Sequence, residues 1–212
     1  MPVFQLTEEL IFPHPSLAED GLLAVGGDLS PERLLLAYGN GIFPWYNEGE
    51  PILWHSPDPR FVLFPEKIKV SKSMKQILKK ANYEIGINTS FKEVLYHCKT
   101  VEREDQDGTW ITNDIEKAYL KLHELGYAHS IEIFNLENKL IGGLYGIKLG
   151  SVFFGESMFQ LESNTSKIAL IHLATNFKLS LIDCQVHTEH LESMGAEEIP
   201  LDTFLELLKV HL

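Results

Sequence analysis

The segment from Leu140 to Phe159, LIGGLYGIKLGSVFFGESMF, constrains the fold more than any other part of the chain. Two β-rich runs, Leu140 to Ile147 and Ser151 to Gly155, flank a Lys148-Leu149-Gly150 turn, and this pattern predicts an antiparallel hairpin. Both runs are apolar at most positions instead of alternating, as in strands that are covered on both faces. We therefore expect the hairpin to lie at the centre of a sheet.

One carboxylate, Glu156, follows directly after the second run. A charge at the end of a buried strand is costly unless a cation or a hydrogen-bond donor meets it. The strand itself supplies no such group. Glu156 therefore needs a partner from elsewhere, and a bound ligand is one candidate.

Composition places the chain among ordinary globular proteins. Apolar residues make up 44% and charged residues 23% of its 212 positions, which excludes an intrinsically disordered chain. The first residues show no basic segment followed by an apolar run, and no segment approaches the roughly 18 apolar residues of a membrane span. We therefore expect a soluble cytoplasmic protein without a membrane partner.

The candidate metal ligands show no metal-binding spacing. Cys98 and Cys184 lie far apart and outside any CxxC pattern, so they are expected to be buried reduced thiols. None of the nine histidines forms an HExxH motif, and no cysteine or carboxylate completes a site around His187 and His190. The sequence therefore predicts no metal site.

One basic segment stands out in an acidic chain whose formal net charge of −12 argues against indiscriminate nucleic-acid binding. Six lysines occur between Glu66 and Lys80. Lys72, Lys75 and Lys79 share one face of a predicted helix. On charge alone this face is either a solvated helix surface or a local phosphate-binding patch.

Proline usage divides the chain into two parts. Nine of the ten prolines lie at or before Pro65, which predicts a small proline-rich N-terminal α/β domain over residues 1–62 and a second domain over residues 63–212. In the first part, Ser30 and Pro31 begin a helix that ends at Gly39. The Gly/Pro loops around this helix carry ring side chains that either pack a small irregular domain or form the wall of a cleft. These side chains are Phe43, Trp45, Tyr46, Trp54 and His55.

The second part has a regular element order. From Tyr83 it reads strand, helix, helix, three strands, helix, strand, helix, strand, with Ser90, Asn113 and Asp202 as expected helix caps. This order resembles the fold of the GCN5-related N-acetyltransferases (GNAT). The expected fold class is therefore α+β, with a GNAT-like domain built on a central mixed sheet.

A cofactor loop of that fold is missing. GCN5-related enzymes hold the pyrophosphate of acetyl-CoA with a Q/R-x-x-G-x-G/A loop, in which backbone N–H groups form the anion cradle. At the corresponding place the segment from Met158 to Asn164 contains no glycine and one acidic residue. We therefore do not expect acetyl-CoA, or any other cofactor, to bind here.

Four groups of motifs occur in a fixed order along nearly the whole chain. They are GLLAVGGDLSPERLL with GIFPWY and ILWHSPDPR; GTWIT; HSIEI followed by GGLYG and FFGESMF; and LIDCQV. Together they resemble the leucyl/phenylalanyl-tRNA-protein transferase family. The resemblance implies a cytosolic, metal-free aminoacyltransferase that moves Leu or Phe, and less well Met, from aminoacyl-tRNA to the α-amine of proteins with N-terminal Arg or Lys. Such an addition marks the acceptor for N-degron proteolysis.

The chemistry of this reaction agrees with the sequence. An aminoacyl ester is already activated, and neither a GxxxxGKS/T nor a GxGxxG motif is present. The reaction needs an apolar slot, a neutral amine aimed at the ester carbonyl and donors for the oxyanion. An α-amine with a pKa near 8 is about one-tenth neutral at pH 7, so only modest base assistance is needed. The resemblance implies six slot walls that would otherwise be ordinary core residues: Trp45, Trp110, Leu144, Phe153, Phe177 and Ile182.

Three polar residues are the candidate catalytic groups. Asp183 and Gln185 lie two apart on a predicted strand and so project to one face, and the fold resemblance puts Glu156 on a neighbouring strand. We hypothesise that Glu156 receives the cationic acceptor, Asp183 orients Gln185, and Gln185 aligns the amine and helps it to lose its proton. Because an amide is a poor base, Asp183 or solvent is the better proton acceptor. The alternative is that Asp183 and Gln185 only satisfy buried backbone groups.

The resemblance also favours a functional role for the lysine helix. We expect Lys72, Lys75, Lys79 and Lys80 to contact phosphates at the 3′ end and acceptor stem of Leu-tRNA and Phe-tRNA without reading bases. Two rival functions are an acetyl-CoA-dependent N-acetyltransferase and a non-catalytic reader of basic N-termini that uses Glu156 as its anion. A chain of this length is large enough to act as a monomer.

Overall fold

The structure of the chain is a computed structural model that describes residues 3–101 and 110–212. Most of the predicted polar loop before Trp110, with the first two residues of the GTWIT motif, lies outside the described residues. The strands of the described part are β1 (Phe4–Leu6), β2 (Leu22–Gly26), β3 (Phe43–Pro44), β4 (Leu53–His55), β5 (Arg60–Leu63), β6 (Glu84–Ile87), β7 (Ala128–Phe134), β8 (Leu140–Leu149), β9 (Val152–Gln160), β10 (Leu181–Gln185) and β11 (Glu197–Ile199). Its helices are α1 (Pro31–Gly39), α2 (Lys72–Lys80), α3 (Phe91–Thr100), α4 (Asn113–Glu124), α5 (Thr165–Asn176), α6 (Glu189–Ser193) and α7 (Leu201–His211).

The predicted hairpin is confirmed as β8 and β9, at the centre of a seven-stranded sheet with the order β11-β5-β10-β9-β8-β7-β6. Strands β9 and β10 run parallel and all other neighbours antiparallel, so the predicted mixed sheet is also confirmed. The hairpin turns at Gly150, which has a φ of +52°. A Cβ there would come within 2.2 Å of the main-chain oxygen of His211, so the turn requires glycine.

Helices cover both faces of the seven-stranded sheet, as the unbroken apolar pattern of the hairpin predicted. Phe153 packs into a cluster with residues of α2 and α5, whereas its neighbour Phe154 packs into a cluster with residues of α1, α3, α4 and α7. Successive residues of one strand therefore enter two different cores. No helix within the described ranges combines the length and the apolar character that crossing a membrane requires.

The element order from β6 to β11 is the one predicted for the GNAT-like domain. The helix starts also follow local capping rules in part. The hydroxyls of Ser30 and Ser71 cap α1 and α2 by accepting main-chain N–H groups of the first turn. Helix α4 is capped by Thr112, one residue before the predicted Asn113.

Tertiary contacts replace the expected side-chain cap at two other helix starts; Ser90 holds its predicted cap position, whereas Asp202 does not. Ser90 gives α3 no side-chain cap; its own N–H instead donates to Glu132, a fully buried carboxylate of β7, over 3.3 Å. Helix α7 begins at Leu201 instead of after Asp202, and the Leu201 N–H donates to Asp58 over 3.0 Å. Both acceptors come from segments that are distant along the chain.

A second sheet, with the order β1-β2-β4-β3, forms from the N-terminal segments that the sequence described as turn-rich loops. It shares a hydrophobic core with the larger sheet, because fully buried Trp54 belongs to the same cluster as Phe154. The predicted domain boundary between residues 62 and 63 falls inside β5, whose four residues pair within the seven-stranded sheet. We propose that the division lies just before Arg60.

Candidate active site

Glu156 lies inside β9, not at its end as the sequence suggested. In the ladder between β8 and β9, Tyr145 pairs with Ser157 and Gly146 pairs with Gly155, so Glu156 is the extra residue of a β-bulge. Glycine at position 146 lets β8 approach β9 closely at the bulge, since a Cβ there would lie 2.2 Å from the main-chain oxygen of Phe154. The bulge takes Glu156 out of the regular pairing and brings it to the wall of a cavity.

Three hydrogen-bond donors from three other elements meet the Glu156 carboxylate. Tyr38 of α1 donates to Oε1 over 2.8 Å, and Tyr119 of α4 donates to Oε2 over 2.9 Å. The side-chain amide of Gln185 in β10 donates to Oε1 over 3.0 Å. The partner that the sequence required is thus a set of neutral donors supplied by the protein.

The surroundings of Glu156 place its proton affinity near neutrality. Burial raises the pKa of Glu156 to about 7, against the opposing effect of the hydrogen bonds from Tyr38, Tyr119 and Gln185. Burial also raises the pKa of both tyrosines well above 10, and the charge of Glu156 adds to this. Glu156 is therefore a carboxyl group that can gain or lose a proton at physiological pH while both phenols stay protonated.

Asp183 is held by a buried cation. Arg60 of β5 donates to it from Nε over 2.8 Å and from Nη2 over 2.6 Å, and neither side chain is accessible to solvent. The guanidinium lies between the rings of Phe43 and Phe204, at 4.8 and 4.7 Å from their centroids. This bidentate pair fixes Asp183 as a carboxylate with a defined orientation.

Gln185 connects the two carboxylates. Its main-chain N–H donates to Asp183 over 3.0 Å, while its side-chain amide donates to Glu156. Gln185 has a φ of +65°, and the pairing between β5 and β10 shifts register between Asp183 and Gln185. Asp183 therefore contacts Gln185 as predicted, but through the main chain. The predicted grouping of these three residues is present in the structure.

A cavity of about 430 Å³ opens beside these polar groups. Five of the six predicted slot walls line it: Trp45, Trp110, Leu144, Phe153 and Ile182. The sixth, Phe177, does not line the cavity; it follows α5 and packs against His172 with a ring-centroid distance of 6.2 Å. Helix α5 contributes Leu170 and Leu173 to the wall instead.

The ring-bearing N-terminal loops take both of the roles that the sequence left open. Phe43 and Trp45 line the cavity, and Trp45 is 40% exposed at its edge. Trp54 is fully buried and donates its indole N–H to the oxygen of Gly26 over 2.9 Å, which is a packing role. Tyr46 is buried and touches the Thr112 hydroxyl at 3.3 Å. The cleft wall and the core of the small sheet therefore both draw on the segment from β3 to β4.

Sequence reasoning missed several residues of the site. Arg60, Tyr38 and Tyr119 carry its polar framework, yet each comes from a segment whose local pattern indicated only a strand or a helix. Arg60 closes the ILWHSPDPR motif, and its place in that motif was the one available signal. Further cavity residues that were not predicted are Met158, Leu170, Leu173, His190 and Leu191.

Burial changes the proton affinity of two further side chains of the cavity wall. Burial raises the pKa of the Cys184 thiol far above its usual range, so the thiolate is disfavoured. Burial lowers the pKa of His190, whose Nε2 has no hydrogen-bond partner among the described residues. Within residues 3–101 and 110–212, no three His, Cys, Asp or Glu side chains come together as metal ligands would.

The predicted lysines of α2 form an exposed row. Lys72, Lys75, Lys79 and Lys80 all lie on the solvent side of the helix, while Met74 is buried against the core. None of the four pairs with an acidic residue in the described part of the chain. Their charges are therefore free of the intramolecular ion pairs that occupy other surface lysines.

Comparison with known families covers most of the chain. A family described as "Leucyl/phenylalanyl-tRNA protein transferase" matches residues 62–209, and its N-terminal domain family matches residues 27–58. Among named relatives, the chain is similar to a leucyl/phenylalanyl-tRNA–protein transferase from Syntrophus aciditrophicus (strain SB), with 56% identity over 100% of this chain and 90% of the relative. A protein of the same name from Flavobacterium johnsoniae is 52% identical over 98% of this chain and 99% of its own length.

Solved structures show weaker likenesses. A functionally unknown conserved protein from Staphylococcus epidermidis aligns with a TM-score of 0.45 and 10% identity, covering 84% of this chain and 68% of its own. A GCN5-related N-acetyltransferase from Kribbella flavida aligns with a TM-score of 0.36 and 8% identity, covering 79% and 60%. Neither likeness bears on the chemistry of the site.

Proposed function

The chain belongs to the leucyl/phenylalanyl-tRNA protein transferase family, and on that premise we propose that its cavity binds the leucyl or phenylalanyl group of an aminoacyl-tRNA. The chain is thus an aminoacyltransferase. The observation that carries the proposal is a cavity of about 430 Å³ with apolar walls and one polar edge, formed by Glu156 and Gln185. Its volume lies within the range of about 300–1,000 Å³ that is usual for small-molecule sites.

The apolar part of the cavity suits the side chain of the donor amino acid. Trp45 and Trp110 come from the N-terminal loops and from the segment before α4, while Leu144, Phe153 and Ile182 come from the central sheet. A contact with one methylene distinguishes substrates by only about 1–3 kcal/mol. Discrimination among Leu, Phe and Met must therefore come from the shape of these rigid walls as well as from apolar contact.

The polar edge suits the acceptor amine. We propose that an ionised Glu156 receives the cationic N-terminus of an acceptor protein that begins with Arg or Lys, and that Gln185 aligns the attacking nitrogen. Asp183 acts in this scheme as an orienting group, because its carboxylate is bound by Arg60 and by the Gln185 N–H. That engagement favours orientation over the proton-accepting role that the sequence left open for Asp183.

The basic face of α2 suits the tRNA. We propose that Lys72, Lys75, Lys79 and Lys80 bind phosphates near the 3′ end and acceptor stem, which all tRNAs present in similar geometry. Because aminoacyl-tRNA is found in the cytoplasm, we propose that the protein works there. One chain supplies every group of the site described above, so we propose a monomeric enzyme.

The lysine proposal has a charge-matched control. Reversing Lys72, Lys75 and Lys79 to glutamate should raise the KM for aminoacyl-tRNA and reduce the slope of log KM against log salt by about 2 to 3. The control reverses Lys121, Lys139 and Lys209, which pair with acidic neighbours, and so changes net charge equally. Equal effects of the two sets would mean that general charge, not the α2 face, acts on tRNA.

The central experiment offers Phe-tRNA or Leu-tRNA together with a peptide that begins with Arg, and mass spectrometry follows the peptide. We expect a product extended by one Phe or Leu residue, and a matched peptide that begins with Asp should remain unchanged. Acetylation of the Arg peptide by acetyl-CoA would favour the N-acetyltransferase instead. Binding of the Arg peptide without extension would favour the non-catalytic reader.

A further inference from the structure

Two buried tyrosines and Glu156 form a closed set of contacts behind the cavity wall. Tyr38 and Tyr119 each contact one oxygen of the Glu156 carboxylate, and their hydroxyls also contact each other. Both tyrosine side chains are buried, with exposed fractions of 1% and 0%, whereas Glu156 reaches the cavity. Ring packing holds the phenols in place, since the ring centroids of Tyr38 and Phe154 are 5.2 Å apart and those of Tyr119 and Tyr145 are 5.8 Å apart.

The number of protons decides which form of this set is complete. Three contacts join the two phenols and the carboxylate, and each needs one proton. The phenols supply two. When Glu156 is ionised, both phenolic protons point to the carboxylate, and the two phenolic oxygens face each other without a proton between them. When Glu156 is protonated, its hydroxyl donates to Tyr119, Tyr119 donates to Tyr38, and Tyr38 donates to the other carboxylate oxygen.

We propose that Tyr38, Tyr119 and Glu156 form a proton-holding ring that closes when Glu156 takes a proton from the acceptor amine and opens when that proton passes to the ribose oxygen of the tRNA. Glu156 is the catalytic residue of the ring because it faces the cavity. Tyr38 and Tyr119 are positioning residues that act through it. This inference rests on the proposed function for the identity of the amine, but the proton affinity of the ring can be measured without any substrate.

The groups around Glu156 suit this role. The titratable side chains that face it are Tyr38 of α1, Tyr119 of α4 and Asp183 of β10, and Tyr145 of β8 lies next to the two tyrosines. The charge of Asp183 opposes ionisation of Glu156, and Arg60 binds that charge. Burial raises the pKa of Glu156 to about 7. An α-amine has a pKa near 8, which differs from the pKa of Glu156 by about one unit, so proton transfer between the two groups is readily reversible.

The acceptor ammonium gives one proton to ionised Glu156, and the neutral nitrogen attacks the ester carbonyl carbon to form the new N–C bond. The C–O bond to the terminal ribose of the tRNA then breaks, and the ribose oxygen takes the proton held by Glu156. The nitrogen releases its second proton to solvent as the amide forms. The net products are an extended peptide, a free ribose hydroxyl and one released proton.

The test begins with the substrate-free protein labelled with ¹³C at glutamate side chains. Its carboxyl resonances are followed by NMR against pH, and the Glu156 signal is assigned by its loss in Glu156→Gln. We expect Glu156 to titrate near pH 7. In Tyr38→Phe/Tyr119→Phe the ionised form loses two charge-assisted hydrogen bonds, which together outweigh the three neutral contacts of the protonated ring, so the midpoint should rise. A rise of one unit would lower the ionised fraction at pH 7 from about a half to about a tenth.

The kinetic arm uses the same variants in the peptide-extension assay. The acidic limb of kcat/KM should move to higher pH in the double variant by the same amount as the NMR midpoint, because kcat/KM reports groups of the free enzyme. Tyr96→Phe, at a 59% exposed position on α3, should change neither quantity. A purely structural role of the tyrosines would lower kcat without moving the limb.

Two results would overturn the ring. The first is a wild-type Glu156 that titrates as an ordinary carboxyl group near pH 4.5, which requires no tyrosine variant to fold. The second is a folded double variant whose midpoint equals that of the wild type. Absence of any extended peptide with a Glu156 that titrates near 7 would instead reject the proposed acceptor or donor and leave the ring in place.

Discussion

Asp183 and Glu156 are carboxylates on the neighbouring parallel strands β10 and β9, and Gln185 touches both of them. Their partners differ. Asp183 meets a guanidinium with two hydrogen bonds and has no solvent exposure. Glu156 meets two phenols and one amide, none of which carries a charge, and it lies at the wall of the cavity.

One sheet thus holds a permanently paired carboxylate next to one whose proton affinity is adjustable. A buried guanidinium compensates a carboxylate permanently, because arginine does not lose its proton in proteins. Hydrogen bonds from uncharged phenols and an amide favour the ionised carboxylate but only partly offset the effect of burial, which raises the pKa of Glu156 to about 7. Asp183 therefore suits orientation, and Glu156 suits proton exchange.

The isosteric change at the fixed charge should have the largest effect. Asp183→Asn removes the anion and leaves Arg60 buried without a counter-charge, which should cost about 3–5 kcal/mol of the free energy of unfolding. Urea denaturation at pH 7 measures this cost. Turnover should also fall, because the Gln185 N–H loses a charged acceptor.

A double variant distinguishes the loss of the whole Arg60–Asp183 ion pair from the loss of one partner. Arg60→Met/Asp183→Leu replaces both charges by apolar side chains and should recover much of the stability that Asp183→Asn loses, while turnover stays low. An Asp183→Asn protein as stable as the wild type would show that Arg60 finds another partner, and the contrast with Glu156 would then lose its basis.

The sequence predicted the strands and the carboxylates of this site better than the side chains that bind those carboxylates. The hairpin, the element order and the grouping of Glu156, Asp183 and Gln185 follow from local patterns and from motif resemblance. Arg60 lies 123 residues from Asp183, and Tyr38 lies 118 residues from Glu156. Pairings over such separations leave no trace in periodicity or in turn chemistry, because they depend on how the finished elements pack.

Phe177 is a predicted slot residue that does not line the cavity. The motif resemblance placed it in the slot, but α5 ends at Asn176 and Phe177 is the residue at the helix terminus. Its ring turns toward His172 on the same helix, and the wall is filled from within α5 by Leu170 and Leu173. A terminal residue depends on the last helical turn, which sequence patterns define only to within one or two residues.

The same isosteric change at Glu156 should act in the opposite direction and more weakly. Glu156 has a pKa of about 7 in the folded protein and 4.5 in the reference state. The wild type therefore loses stability as pH rises from about 4.5 to 7, because the folded state holds the proton more tightly. Glu156→Gln does not ionise, so its stability relative to the wild type should increase over this window. The gain should reach about 1–3 kcal/mol above pH 7.

Thermal or urea unfolding of both proteins at pH 4, 6 and 8 measures this gain. The difference should be near zero at pH 4 and largest at pH 8, and turnover of Glu156→Gln should be low at every pH. A constant difference across the three pH values would mean that Glu156 does not titrate near neutrality, and both carboxylates would then be fixed charges.

Gln185 should give the smallest effect on stability, and it tests whether the two carboxylates are coupled. Gln185→Ala and Gln185→Gly both remove the amide that donates to Glu156, so both should raise the pKa of Glu156 and lower turnover to a similar degree. They differ in the main chain, because position 185 has a φ of +65°, which glycine adopts more easily than alanine. The glycine variant should therefore be more stable than the alanine variant by about 1 kcal/mol in urea denaturation. Equal stability combined with unequal turnover would assign the role of Gln185 to its backbone conformation and its N–H bond to Asp183. The side-chain hydrogen bond to Glu156 would then not contribute to turnover.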